Sequence, residues 1–286
     1  MNRFRMMRGV GMTLVALFLI GCGIAVATPA PELNAGDIWI RPADGMVMVY
    51  VPSGEFVMGS SDTEIDYALQ LCSNLGNECT RTDFENEQPA HIVIMDKFWI
   101  DSTEVTNIQY EKCVDDGVCQ APTCALNGIP TYGDPSLEGY PMVCVSLNDA
   151  NTYCEWAGAR LPTEVEWEYA ACGPQGWIFP WGNEFDGMRA NYEGYDDGYG
   201  FLSPVGSFLT GASWVGALDM AGNAWEWTAE WIGDYTGNPS GLFSGALRGG
   251  SWVHTPEYLR AASRTNFSTN TQINRIGFRC ARTGEK

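Results

Sequence analysis

Ser251 and His254 stand three residues apart in LRGGSWVH, close enough for a hydroxyl and an imidazole to share a proton. A nucleophilic role for that pair also needs an orienting carboxylate and an oxyanion hole. GGSW lacks the GxSxG turn that exposes a hydrolytic serine, so a structural contact is expected instead. Asp219 and Glu226 offer a second chemistry. They flank the glycine-containing turn DMAGNAWE, and carboxylates around a turn can help to gather the roughly six to eight oxygens that calcium takes. The plainer alternative is that these acids cap turns and face water.

The chain of 286 residues holds ten cysteines but only two histidines, His91 and His254, so a multi-histidine zinc or iron site is ruled out. No CxxC pair occurs, which removes zinc-ribbon and thioredoxin readings. Arg3, Arg5 and Arg8 precede an apolar run from Val10 to Ile20, which has the form of an export signal and is short for a membrane span. Leu19, Ile20 and Gly21 before Cys22 resemble the lipobox of bacterial lipoproteins. That resemblance implies a lipidated Cys22, an anchor in a cell-envelope membrane and a domain facing the extracytoplasmic side. An ordinary signal peptide or an uncleaved anchor is the alternative. Cysteines outside the cytoplasm pair, and with Cys22 lipidated nine of the ten remain, so at least one is left over.

Loss of the signal removes three of 16 basic residues and none of 35 acidic ones, moving the formal charge from −19 to −22. Phosphate backbones are repelled by such a surface, which excludes nucleic acid as a partner and leaves solvated acids or cation-holding carboxylates.

The elements that position these groups are short. Residues 1–22 form the signal and lipobox, and 23–43, rich in Ala and Pro at the start, read as a tether. One domain is expected over 44–283, without a second linker or a repeat. Ser61 with Glu64 and Thr163 with Glu166 form capping boxes ahead of two helices, the second stopped by Gly173. A third helix is predicted from Asn148 to Ala157 with Gly158 as the stop, and a weaker one after Thr106. Met46 to Val51, His91 to Met95, the FWI that follows and Gly277 to Ala281 read as strands. Helix ends and loop spacing favour Cys72 with Cys79, Cys113 with Cys119 and Cys124 with Cys144 as disulfides.

In order along the chain come MVYVPSGEFVMGS (48–60), STEVTNIQYEKC (102–113), WAGARLPTEVEWEYA (156–170), FPWGN (179–183), LDMAGNAWEWT (218–228), LRGGSW (247–252) and GFRCAR (277–282). This series resembles the formylglycine-generating-enzyme (sulfatase-modifying factor) family and covers nearly the whole domain. The resemblance implies an irregular α+β fold, C-type lectin-like in topology, with little regular secondary structure and stabilised by disulfides and calcium. Most of the motif residues have structural roles in this reading. Met48, Phe56, Trp156, Leu161, Trp167, Trp181, Trp225 and Trp227 are expected in the core, and Arg160 in a structural pair.

By the same resemblance, Gly222 and Ala224 contribute carbonyls to a calcium site with Asp219 and Glu226. A second site maps onto Asn191, Tyr192, Asp197 and Tyr199, the tyrosines through backbone oxygen. The family's oxidases bind copper(I) through two cysteines in the segment after GGS, as soft thiolates suit that ion. Here His254 and Leu259 occupy those positions, so copper is not expected as a cofactor. The resemblance pairs Cys154 with Cys280. It would join Cys172 to a cysteine at the position of Ala261, which leaves Cys172 unpaired.

The leading expectation is a non-catalytic recognition or structural module on the cell envelope. Ser251, Trp252, His254, Arg260 and Arg264 would form a polar surface in the groove where the family's enzymes receive a peptide, and the partner would be an exported protein or peptide. The rival is an oxidase acting on a thiol or cysteine of an exported protein, with a changed metal site of His254 and Cys172. A third class is an accessory factor that stabilises a neighbouring enzyme or kinase.

Overall fold

The computed structural model describes residues 32–126, 129–130, 132–194, 198–229 and 244–284. These residues belong to one unit, Leu33–Lys286, apart from Glu32. Cys22 and the lipobox lie outside the described residues.

Among the described residues, four α-helices form where the sequence supplies caps. They are α1 (Asp62–Asn74), α2 (Asn107–Asp115), α3 (Leu147–Trp156) and α4 (Glu164–Cys172). Each begins with a reciprocal box, formed by Ser61 with Glu64, Thr106 with Gln109, Ser146 with Asp149 and Thr163 with Glu166. Such boxes satisfy two orphan N–H groups at once. Gly173 ends α4 at φ 68°, a backbone conformation that costs glycine nothing.

The strands are short: β1 (Ile38–Ile40), β2 (Val47–Val51), β3 (Gly54–Met58), β4 (His91–Met95), β5 (Phe98–Asp101), β6 (Ala125–Leu126), β7 (Ile129–Pro130), β8 (Trp225–Trp227), β9 (Ser244–Arg248), β10 (Arg264–Ser268), β11 (Ile276–Phe278) and β12 (Ala281–Thr283). One sheet has the order β1-β2-β5-β12 and another β10-β9-β8-β11, and β3-β4 and β6-β7 form two ribbons. β11 runs parallel to β8, placing Gly277 beside Glu226; the other pairs are antiparallel. The mixed, loop-rich α+β architecture matches the expected class.

Two boundaries differ from expectation. The residues read as the end of the tether are part of the fold: β1 pairs with β2, and Trp39 packs edge-on against Trp99. Arg41 is buried, with Nη1 2.8 Å from Asp101 and Nη2 2.5 Å from Asp44. A guanidinium with two buried carboxylates cannot belong to a free linker. The terminal GFRCA is not one strand. β11 ends at Phe278 and β12 starts at Ala281, because Arg279 and Cys280 turn inward to Glu226 and Cys154 and the chain crosses from one sheet to the other.

The core is aromatic. Trp225 and Trp227 join Tyr110, Tyr153 and Phe278 in one cluster, and Trp167 with Phe56 and Tyr169 centres a second. Trp156 and Trp181 are only half-buried, since each indole N–H reaches outward, to Asp116 and to the Glu184 carbonyl. Arg160 is paired with Glu166 through two bonds of 2.7 and 2.6 Å.

Candidate functional site

The segment after β9 carries the groups that could do chemistry. Gly249 and Gly250 both have positive φ, and the 3-10 turn Pro256–Leu259 follows. Ser251 is fully buried, with its Oγ 2.7 Å from His254 Nδ1. The Trp225 indole N–H donates to His254 Nε2 at 3.4 Å, and the imidazole packs edge-on against Trp225 and Tyr258. Burial, reinforced by the charge of Arg275, lowers the His254 pKa to about 4. The ring is therefore neutral near pH 7. An indole N–H can only donate, so Nε2 is the acceptor and Nδ1 carries the proton. His254 then donates to Ser251 rather than accepting from it. That is the wrong tautomer for a general base, and the serine has no exposure to a substrate.

The other expected groove residues are committed elsewhere. Arg260 is 1% exposed, grips Glu87 at 2.8 and 2.7 Å and lies over the Phe84 ring. Arg264 is buried against Glu164 and the Asn86 carbonyl. The expectation that these two arginines present charge to a ligand is corrected: both neutralise interior carboxylates, the role that burial demands of an arginine. Trp252 is half-buried with its ring 5.4 Å from Phe201. Leu259 lies in an apolar cluster with Phe179 and Ala221.

The DMAGNAWE turn carries two buried carboxylates, Asp219 and Glu226. Asp219 and Asn223 both adopt positive φ, and Gly222 at φ 80° sits where an added Cβ would fall 2.1 Å from the Asn191 carbonyl oxygen. Only glycine permits that approach. It joins the two expected cation sets: Asn223 N donates to Asn191 O at 2.8 Å, and Asn191 Nδ2 donates to Asn223 Oδ1 at 3.3 Å. Within the second set, Tyr192 packs on Phe185, Tyr199 meets Phe208, and Asp197 lies outside the described residues.

Glu226 differs from its expected role. Arg279 binds both of its oxygens, at 2.6 and 2.7 Å, and Trp167 donates to Oε2 at 2.7 Å. Its carboxylate is thus occupied by a buried ion pair. Burial is the largest single influence and opposes the charge on Arg279, but Glu226, Glu104 and Asp219 together outweigh it and the arginine pKa rises.

The acid with spare capacity is Glu104, from STEVTN, which the sequence reading treated only as part of a motif. It is fully buried. Its Oε1 accepts from Asn223 Nδ2 at 3.0 Å, whereas Oε2 has no donor among the described residues. Burial, then the charges of Asp219 and Glu226, push its pKa well above the usual carboxylate range. Asp219 accepts from Gly206 N at 2.6 Å, yet burial raises its pKa to about 6. Three interior carboxylates thus surround a single guanidinium, and a divalent cation is the kind of group that would offset the excess. Glu104 and Asp219 fit that role; the Glu226 carboxylate does not while Arg279 holds it. Glu104 lies between the buried strand FWID and the buried residues Val105, Thr106 and Asn107 that lead into α2, and nothing in STEVTN alone marks it as interior.

Four disulfides join Cys72 to Cys79, Cys113 to Cys119, Cys124 to Cys144 and Cys154 to Cys280. Among the described residues Cys172 is the free cysteine; it is buried, in one core cluster with Ala261. Desolvation and then Glu168 hold its thiol pKa well above the ordinary value. Its sulfur contacts the Gly173 carbonyl at 3.5 Å, while His254 is engaged by Ser251 and Trp225, so the structure does not join the two as ligands.

With this fold and this motif order, the chain belongs to the sulfatase-modifying factor enzyme 1-like domain family, whose model matches residues 38–284. It is 31% identical to the formylglycine-generating enzyme of Mus musculus, over 88% of this chain and 78% of that protein. It is 41% identical to the inactive C-alpha-formylglycine-generating enzyme 2 of Mus musculus, over 94% of this chain and 92% of that one. Among solved structures it is similar to PvdO from Pseudomonas aeruginosa, with a TM-score of 0.70 and 30% identity over 88% of this chain and 99% of that chain.

Proposed function

We propose that this protein is a non-catalytic recognition or structural module of its family, exported and lipid-anchored through Cys22, and stabilised by calcium. The observation that carries the reading is the residue pair in the segment after GGS. His254 is a neutral imidazole donating to a buried serine, and Leu259 is a buried core residue. Neither supplies the soft thiolate that copper(I) requires. Cys172, with its raised thiol pKa, is a poor nucleophile and a poor ligand. The relationship to a mouse protein named inactive supports the same reading.

Calcium would be held by Asp219 and Glu104 with the carbonyls of Gly222 and Ala224, supplying positive charge to the acidic interior rather than chemistry on a substrate. A second ion at Asn191, Tyr192, Asp197 and Tyr199 is part of the same proposal. Among the described residues no helix is long and apolar enough to cross a membrane. Attachment would rest on the lipid, and the ligand would be an exported protein or peptide.

The test is copper(I) affinity by competition with a chromogenic chelator, in the unmodified protein and in His254→Cys/Leu259→Cys. Weak binding by the first supports the proposal. Tight one-to-one binding by the unmodified protein would sink it and revive the oxidase reading.

A further inference from the structure

Glu257, in the 3-10 turn Pro256–Leu259, is 1% exposed. Its Oε1 accepts the Thr255 hydroxyl at 2.6 Å, but its Oε2, equally enclosed, has no partner among the described residues. A buried carboxylate oxygen without a donor is costly, and its presence asks for a state in which it is used. Across from it, Cys79 Sγ lies 3.8 Å from Glu257 Oε1. Cys72, Cys79 and Glu257 each place a ligand atom within 4.8 Å of the other two.

In this structure the two sulfurs are joined, and a disulfide offers no thiolate to a metal. The bond is placed so that it can open. Cys72 is buried in the last turn of α1, whereas Cys79 is partly exposed at the end of the short loop that follows. Their Cα atoms are 6.2 Å apart, and only the sulfurs must part, to about 3.8 Å, for both to sit on a tetrahedral ion with Zn–S bonds near 2.3 Å.

The geometry points to a redox-gated metal site: with the disulfide open, the Cys72 and Cys79 thiolates and the Glu257 carboxylate hold one zinc-class divalent ion, and the disulfide closes the site. Two thiolates with one carboxylate suit a borderline-soft ion, which excludes calcium, and three protein ligands leave the fourth position to water. Thr255 acts as the outer partner that orients the carboxylate through Oε1, the oxygen 3.8 Å from Cys79 Sγ, and Oε2 has no other partner among the described residues to compete with the ion. The chemistry balances with an external dithiol as reductant. Two electrons cleave the sulfur–sulfur bond, each sulfur takes one proton, and the dithiol leaves as its own disulfide; the metal then displaces both protons. The inference does not depend on the calcium or copper proposals, since it involves none of their residues.

The test uses the intact purified protein, a phosphine reductant in graded amounts, and alkylation mapping to establish which cysteines have opened. Zinc uptake is read by competition with a chromogenic chelator. Cobalt(II) serves as a second probe, because thiolate ligation produces a charge-transfer absorption. The expected result is no uptake by the oxidised protein and one zinc per chain once Cys72 and Cys79 are free. Affinity should be at least tenfold weaker in Glu257→Gln, and the cobalt band should be lost in Cys79→Ser. The inference is overturned by any of three outcomes: zinc uptake that is the same before and after opening, failure of this pair to open before circular dichroism shows the fold lost, or a Glu257→Gln affinity equal to that of the unmodified protein.

Discussion

The indole N–H of Trp225 points at Nε2 of His254, 3.4 Å away, and so decides what the histidine can do on its other side. With Nε2 accepting, Nδ1 must donate to Ser251, and the pair forms a structural clasp between β8 and the segment after β9. The same enclosure gives His254 its depressed pKa of about 4 against an ordinary 6.5. A histidine whose folded pKa is lowered binds its proton more readily in the unfolded chain, so stability is full above pH 6.5 and is lost as pH falls toward 4. The loss should reach about 3 kcal/mol. Urea unfolding at pH 7 and pH 4.5, compared with His254→Asn, should show that the histidine carries part of the acid sensitivity. Equal pH dependence in the variant would show that it does not.

Arg279 provides the second prediction. Replacement by Met leaves Glu226 buried without its partner and should cost about 3–5 kcal/mol, measured as a shift of the urea midpoint. The same change at Arg260, which strands Glu87, should cost a similar amount. If Arg260 instead faced a ligand, its replacement would leave stability almost unchanged.

The sequence made the helices legible because each start is encoded locally, as in Thr163 with Glu166, and needs no tertiary partner to be read. The irregular aromatic core was legible in the same way. Sheet order was not. Strands of three to five residues such as β8 and β11 pair across long stretches of chain, and nothing in WEW or IGF names its neighbour. The fate of the arginines was hidden for a related reason. Arg260 and Arg264 are polar residues near a glycine-rich segment, and only the packing of Glu87 and Glu164 against them shows that they point inward. Glu104 was overlooked because an acid in a loop motif ordinarily faces water, whereas here it is fully buried, accepting from Asn223 and repelled by the charge of Asp219.

The disulfides should contribute unequally. Cys154–Cys280 spans a sequence separation of 126, for which the chain-entropy model gives about 5 kcal/mol, while Cys113–Cys119, at a separation of 6, should give about 2. Paired Cys→Ala variants, compared by thermal melting, should rank in that order.

Calcium should stabilise the folded protein by about 2.7 kcal/mol when its concentration exceeds Kd a hundredfold. Chelation should therefore lower the Tm, and Asp219→Ala or Glu104→Gln should abolish most of the response. A Tm indifferent to chelator would remove calcium from the account, and a full response in Glu104→Gln would remove Glu104 from the site.

The claim on which the functional reading stands is that this chain has lost thiol-oxidising chemistry. Oxygen uptake by the purified protein, supplied with a cysteine-containing peptide and with or without copper, measures it directly. The account predicts a rate no higher than that of the peptide with copper alone. Copper-dependent uptake above that background, matched by oxidation of the peptide cysteine, would contradict it.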